Sequence, residues 1–334
     1  MSEPQTRAGQ PSDAPRTRRT VRGHETEPAV LVVGESLIDI VARDGDEPAE
    51  HVGGSPANVA VGLARLGNPV ELVTWFGPDA RGERIRSWLE ADGVAVSAGS
   101  AGAERTSTAR ARIDASGAAE YDFDLLYDVP AVTPLREPAL VHVGSISAIH
   151  GDAAAKVRTL VEELTPVATV SYDPNVRPAV MVDPVATRRE VEALVARADV
   201  VKVSDEDVAW LAPGEDLTEV LTAWVALGPA LVVVTRGAEG ALALTAGGAE
   251  VTVPAPRVTV ADTVGAGDSF MSGIIDGLAR DGLLGAGRRE LLRALDATTV
   301  RAILERAATI AAVTVSRPGA NPPTVAELEA FTTP

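Results

Sequence analysis

Residues 262–270, Asp262-Thr263-Val264-Gly265-Ala266-Gly267-Asp268-Ser269-Phe270, set two glycines and a carboxylate where a loop turns into a helix. The helix announces itself in Met271, Ile274, Ile275 and Leu278, which repeat on one face. Missing side chains at Gly265 and Gly267 let backbone N–H groups close on a ligand. A helix N-terminus adds partial positive charge, so Gly265, Ala266 and Gly267 form a candidate anion hole for a transferring phosphoryl group. Bound phosphate repels a carboxylate at the same turn unless that carboxylate has chemical work, and taking the proton of an attacking hydroxyl is such work. Asp268 is the candidate base. The alternative without chemistry is an acidic residue that merely caps the helix.

Other nucleotide-binding patterns fail inspection. No G-x-x-x-x-G-K-[ST] occurs, and Gly265-x-Gly267-x-x-Phe270 lacks the third glycine of a dinucleotide fingerprint. His24, His51, His142 and His150 are scattered, without the spacing of a helical metal pair. The chain has no cysteine, which excludes disulfides, thiolate zinc sites and thiol catalysis and suits a cytoplasmic protein. A net charge of −17 repels nucleic acid and anionic membrane. No apolar run reaches the ~18 residues that a membrane helix needs.

The elements that must position these residues are legible over most of the 334 residues. Residues 1–28 are rich in Pro, Ser, Thr, Gly and Arg and read as a disordered tail. Beyond them, β-branched runs at 29–33, 70–75, 139–143, 167–172, 199–203 and 230–235 alternate with helical patterns, which predicts one domain over 29–334 with a mostly parallel sheet between helices. Ser55 reads as an N-cap and Pro56 as the first residue of a helix stopped by Gly67-Asn68-Pro69. A second helix covers about 79–91 and ends at Gly93. Residues 106–124 alternate small or apolar with polar residues around Ala115-Ser116-Gly117, the pattern of an antiparallel hairpin. Such a hairpin is either an edge decoration or a lid that keeps water from competing as acceptor.

Two segments together carry a family resemblance. Residues 262–270 look like the C-terminal signature of the ribokinase/PfkB family of carbohydrate kinases, and Gly53-Gly54-Ser55-Pro56-Ala57-Asn58-Val59-Ala60 through Gly67 is similar to its N-terminal signature. The likeness runs from Val30 to about Pro323. Tyr172-Asp173-Pro174-Asn175-Val176-Arg177 resembles the fructokinase and 2-keto-3-deoxygluconate kinase branch. The fold implied is a ribokinase-like three-layer α/β/α sandwich with a small β lid, completed by neighbouring N-terminal strands. The implied activity is ATP-dependent phosphorylation of a primary hydroxyl of a hexose, fructose first.

The resemblance also implies a site. Asp39, in the loop Gly34-Glu35-Ser36-Leu37-Ile38-Asp39 after the first strand, would accept hydrogen bonds from sugar hydroxyls, with Gly53, Gly54 and Asn58 beside it. Asp173, Asn175 and Arg177 would lie at the substrate end of a strand, and Arg177 suits a phosphate or another anionic group. Ser204, Thr235, Gly237, Gly240, Ser316 and Gly319 would border ATP. Asp262 and the carbonyl of Val264 match the place where some members hold a monovalent cation such as K+. The family's N-x-x-E motif, which orders water around Mg2+, is replaced by Ser204-Asp205-Glu206-Asp207, so Asp207, or Glu206 by a slip of one residue, would carry that carboxylate. The motif also reads simply as the acidic first turn of a helix. A homodimer through the lid is a further implication.

Rival readings remain open on sequence. A 2-keto-3-deoxygluconate kinase would need a cation for the acid group, and Arg105, Arg110 and Arg112 of the hairpin offer one. A sugar-sensing protein would have no use for Asp268, and a dehydrogenase would bind NAD.

Overall fold

A β-branched run in a parallel sheet shows apolar side chains to both faces, so Val30 and Val32 enter one core while Leu31 and Val33 enter another. The computed structural model describes residues 28–43, 47–113 and 119–332. Its strands are β1 (Val30–Val33), β2 (Leu37–Arg43), β3 (Ala49–Gly53), β4 (Val70–Val73), β5 (Ala95–Val96), β6 (Thr108–Ile113), β7 (Ala119–Asp124), β8 (Leu140–Gly144), β9 (Thr169–Asp173), β10 (Val200–Ser204), β11 (Leu231–Thr235), β12 (Ala241–Thr245) and β13 (Glu250–Val253). Its helices are α1 (Ser55–Arg65), α2 (Ala80–Ala91), α3 (Ser145–Ile149), α4 (Ala153–Leu164), α5 (Pro184–Val195), α6 (Asp205–Leu211), α7 (Leu217–Leu227), α8 (Ala266–Arg280), α9 (Arg289–Arg293), α10 (Ala297–Val315) and α11 (Val325–Thr332).

Nine strands form one sheet in the order β13-β12-β11-β10-β9-β8-β1-β4-β5. Its pairs are parallel except β11–β12 and β12–β13. Helices α1, α2, α8 and α10 cover one face with residues such as Val59, Ile85, Ile274 and Leu304, and α4, α5 and α7 cover the other with Val157, Leu194 and Trp224. The six strands expected from sequence are β1, β4, β8, β9, β10 and β11. The three-layer expectation holds. Among the described residues no helix is long and apolar enough to cross a membrane.

A second sheet, β3-β2-β6-β7, stands beside the first. The hairpin expected over 106–124 is β6 and β7, paired antiparallel from Thr108↔Asp124 to Ile113↔Ala119. The turn Ala115-Ser116-Gly117 and residues 1–27 of the expected tail lie outside the described residues. Two details differ from the sequence reading. Asp39 is not in a loop but inside β2, opposite His51 of β3, because Ile38 and Ile40 are both buried and extend the strand. Ser55 is the first residue of α1 rather than its cap, and Gly54 holds the cap position with no side-chain hydrogen bond. The Ser55 hydroxyl is engaged elsewhere, as the site shows.

Hydrogen bonds tie the second sheet to α2 at its base. Asp79, the N-cap of α2, accepts from the amides of Arg81 and Gly82 and also from Thr106 N and Oγ1 at the root of β6. Ser107 Oγ donates to Leu126 O and accepts from Leu126 N. Glu50 of β3 takes Arg81 and Arg84 of α2.

Candidate active site

The C-terminal ends of parallel strands, the N-terminus of α8 and the inner face of the small sheet enclose a cavity of about 1280 Å³. Open α/β sheets bind ligands at this end because loops diverge there and helix N-termini face inward. Gly265 caps α8 with φ 76°, and Asp268 follows as the third helical residue, 9% exposed. Its carboxylate serves α1 rather than its own helix. Oδ1 accepts from Ser55 Oγ at 2.6 Å, and Oδ2 accepts from Asn58 Nδ2 at 2.8 Å. Two donors from one helical turn fix the carboxylate's orientation. Among the described residues Asn58 Oδ1 is buried without a partner, so it retains the capacity to accept from a ligand.

Across the cavity stands Asp39. Burial pushes its pKa up to about 6, against the pull of Arg177 and His51. A Cβ on Gly53 would sit 2.0 Å from Asp39 Oδ2, so the carboxylate reaches the cavity only because residue 53 has no side chain. Ser145 and Asn175, at the ends of β8 and β9, take positive φ angles of 57° and 41°, a strained geometry for residues with side chains. Both line the cavity, as does Arg177, whose Nη1 donates to the backbone and side-chain oxygens of Asn175. Ala109, Ala111 and Phe123 close the lid side.

Residues 28–327 match the family model described as pfkB family carbohydrate kinase. The chain belongs to the PfkB family of carbohydrate kinases. It is 35% identical over 269 residues to a fructokinase of Rhizobium leguminosarum bv. trifolii, spanning 76% of this chain and 81% of that one. Among solved structures it is similar to a fructokinase with bound ATP from Xylella fastidiosa, with TM-score 0.76, 25% identity, and coverage of 91% of this chain and 98% of that one. It is also similar to a double-mutant fructokinase of Vibrio cholerae O395 in a form with fructose, ADP and potassium ion bound, with TM-score 0.74, 25% identity, and coverage of 92% and 99%.

As a PfkB enzyme the protein is a phosphotransferase acting on a carbohydrate hydroxyl, and its ribokinase-like fold accounts for the sandwich and the small sheet. Not every residue singled out in the sequence reaches the cavity. Asp39, Gly53, Gly54, Asn58, Asn175, Arg177, Ser204, Asp207, Thr235, Gly237, Asp262, Val264, Gly319 and the 265–268 turn do. Asp173, Gly240 and Ser316 do not line it. Asp173 is fully buried and paired with Lys202 Nζ at 3.0 Å. A Cβ at Gly240 would strike Val253 O, and Ser316 Oγ donates to Val313 O inside the end of α10.

The acidic turn reads as a helix start in the structure. Ser204 caps α6 and Asp207 completes a capping box, while Asp207 Oδ1 also accepts from Val176 N at 3.1 Å. Asp262 spends its carboxylate on the amides of Val264 and Gly319, which hold its pKa below the usual range. Of the hairpin arginines whose side chains are described, neither Arg105 nor Arg110 supplies the cavity with a cation. Arg105 pairs with Asp124, and Arg110 is exposed on the strand face opposite Ala109 and Ala111. The Arg112 side chain lies outside the described residues.

Sequence reasoning missed several cavity residues, among them Lys202, Glu35 and Ser55. Lys202 was hidden in an apolar strand run, Glu35 in a loop, and Ser55 behind its resemblance to a cap. The first had a signal: a lysine inside Val200-Val201-Lys202-Val203 breaks a pattern that is otherwise wholly apolar.

Proposed function

We propose that this kinase transfers the γ-phosphoryl group of Mg-ATP to a primary hydroxyl of fructose, in the cytoplasm, with Asp268 as the base. The observation that carries this reading is the Asp268 carboxylate, oriented by Ser55 and Asn58 at the glycine turn that opens α8. Asp39 and Asn58 Oδ1 accept hydrogen bonds from the sugar, which lies against the backbone of Gly53 and Gly54. Asp268 takes the proton of the attacking hydroxyl while its oxygen bonds to phosphorus, and the bond from phosphorus to the bridging oxygen of ADP breaks. The amides of Gly265, Ala266 and Gly267 meet the charge on the phosphoryl oxygens. Thr235, Gly237, Gly319 and Ser204 flank the nucleotide. Asn175 and Arg177 border the sugar end.

The donor set suits a magnesium ion carried mainly by the nucleotide. Among the described residues no cluster of three metal-ligating side chains exists, while Asp205, Glu206 and Asp207 line the cavity and can order its water shell. Such an ion supplies neutralisation of the phosphate charge. A monovalent cation at the Asp262–Val264 loop is part of this proposal, supported by the potassium-bound relative. The open edge strand β7 of the small sheet supports pairing of two copies through the lid.

An ADP-release assay with fructose, other hexoses, 2-keto-3-deoxygluconate and nucleosides tests the substrate. Fructose is expected to give the highest kcat/KM. Preference for the keto acid would overturn the choice of sugar, and turnover of none would overturn the reading.

A further inference from the structure

Lys202 occupies the middle of a buried sheet, 3% exposed, where a residue such as methionine would fill the space without charge. Stripping an ammonium of water costs several kcal/mol even after relaxation, on the order of magnitude known for buried ions. On β10 the register sets Val201 beside Tyr172, so Lys202 stands beside Asp173. Nζ donates to Asp173 Oδ2 at 3.0 Å, the single hydrogen bond it makes among the described residues, which leaves two of its three donors unspent. Lys202 also forms part of the cavity wall. A Cβ on Gly267 would lie 2.8 Å from Nζ, so the missing side chain at 267 lets the ammonium come up against the glycine turn.

The surroundings explain why a cation is needed there. Asp173, Asp207 and Asp268 all act on the Lys202 charge, and His142 on β8 is the other titratable group that feels it. An anionic phosphoryl group entering this corner meets three carboxylates, and main-chain amides offer only partial charges against them.

We propose that Lys202 is a further functional residue of the transfer reaction, supplying a full positive charge behind the Gly265–Gly267 turn and so favouring the triphosphate and its transition state. Asp173 holds the ammonium in place and is a positioning residue. This inference rests on the kinase reading above.

Removing Lys202 alone leaves Asp173 buried and uncompensated, so the test removes both charges with Lys202→Met and Asp173→Asn in one chain. Turnover with the best sugar substrate, the sugar KM, thermal unfolding, and titrations with AMP-PNP and with ADP are compared with wild type. The expected result is a folded protein whose sugar KM stays within about threefold while kcat falls about 100-fold, as for loss of an anion-stabilising donor. AMP-PNP affinity should also fall more than ADP affinity, lowering the ratio of the two from its wild-type value. Near-wild-type kcat and an unchanged AMP-PNP to ADP ratio in the double variant would overturn the proposal, because a purely structural ion pair predicts both. If the double variant does not fold, Lys202→Gln with Asp173→Asn is compared with Asp173→Asn alone by the same criteria, the chain that keeps the cation being expected to outperform the neutral one. A wild type that phosphorylates no sugar defeats the underlying kinase reading, whereas an active wild type with an unimpaired charge-free variant defeats only the role of Lys202.

Discussion

Burial pushes the Asp39 carboxyl up to about 6, Arg177 and His51 pull it down, and Asp268 adds to the rise. A folded-state pKa above the unfolded value means that the native chain binds the extra proton between roughly pH 4 and 6. Stability therefore falls as pH rises through that window, and the ionised form needed for sugar binding is the costly one. Asp39→Asn is predicted to stabilise the fold at neutral pH by an amount on the order of 1–2 kcal/mol after discounting for partial solvent access, and so to raise Tm. The same change should raise the fructose KM at least tenfold, at about 1.4 kcal/mol per tenfold, and abolish the rise in KM that wild type is expected to show as pH drops through about 6. Calorimetry and pH-dependent kinetics check both halves; a variant with lower Tm and intact KM would refute the assignment. Asp39 was recoverable from sequence only through the family likeness, since an aspartate after a strand is ordinarily a solvent-facing one. Asp268 was recoverable from its own neighbours. Lys202 was visible only as a break in an apolar run, because its meaning depends on Asp173, 29 positions away in sequence, and on the empty side of Gly267.

At the scale of elements, Asp79 joins two structures that local pattern keeps separate. The second helix was legible as a pattern ending at Gly93, and the β6–β7 hairpin as an alternation, yet nothing local says that one carboxylate caps the first and roots the second. Four hydrogen bonds from Arg81, Gly82 and Thr106 converge on Asp79. Asp79→Ala should cost about 2–3 kcal/mol, combining a lost cap of ~1 kcal/mol with unsatisfied donors at Thr106. Urea unfolding measures that loss, and hydrogen exchange should quicken along β6 more than along β1. Uniform exchange across both strands would show that Asp79 does not anchor the lid. Strands β2 and β3 were harder to foresee than β6 and β7. Between them run polar and turn-forming residues, and Asp39 on β2 and His51 on β3 face a cavity instead of a core, which blurs the apolar period.

Over the whole molecule, the site exists only once distant segments meet. Ser55 and Asn58 lie more than 200 positions from the carboxylate they hold, and Lys202 arrives from a third segment. Layer architecture was readable because the period of apolar residues in β1, β8, β9, β10 and β11 states that both sheet faces are covered. The convergence of α1 on α8 was not, since no residue in either helix announces its partner except through the paired family signatures. The central claim is that this convergence makes Asp268 the proton acceptor for a sugar hydroxyl, and Asp268→Asn measures it most directly. Single-turnover transfer from radiolabelled ATP to fructose, with fructose affinity determined in parallel, should show a rate about 1000-fold or more below wild type with binding changed less than about threefold. A variant that transfers phosphate at a rate close to wild type would contradict the account.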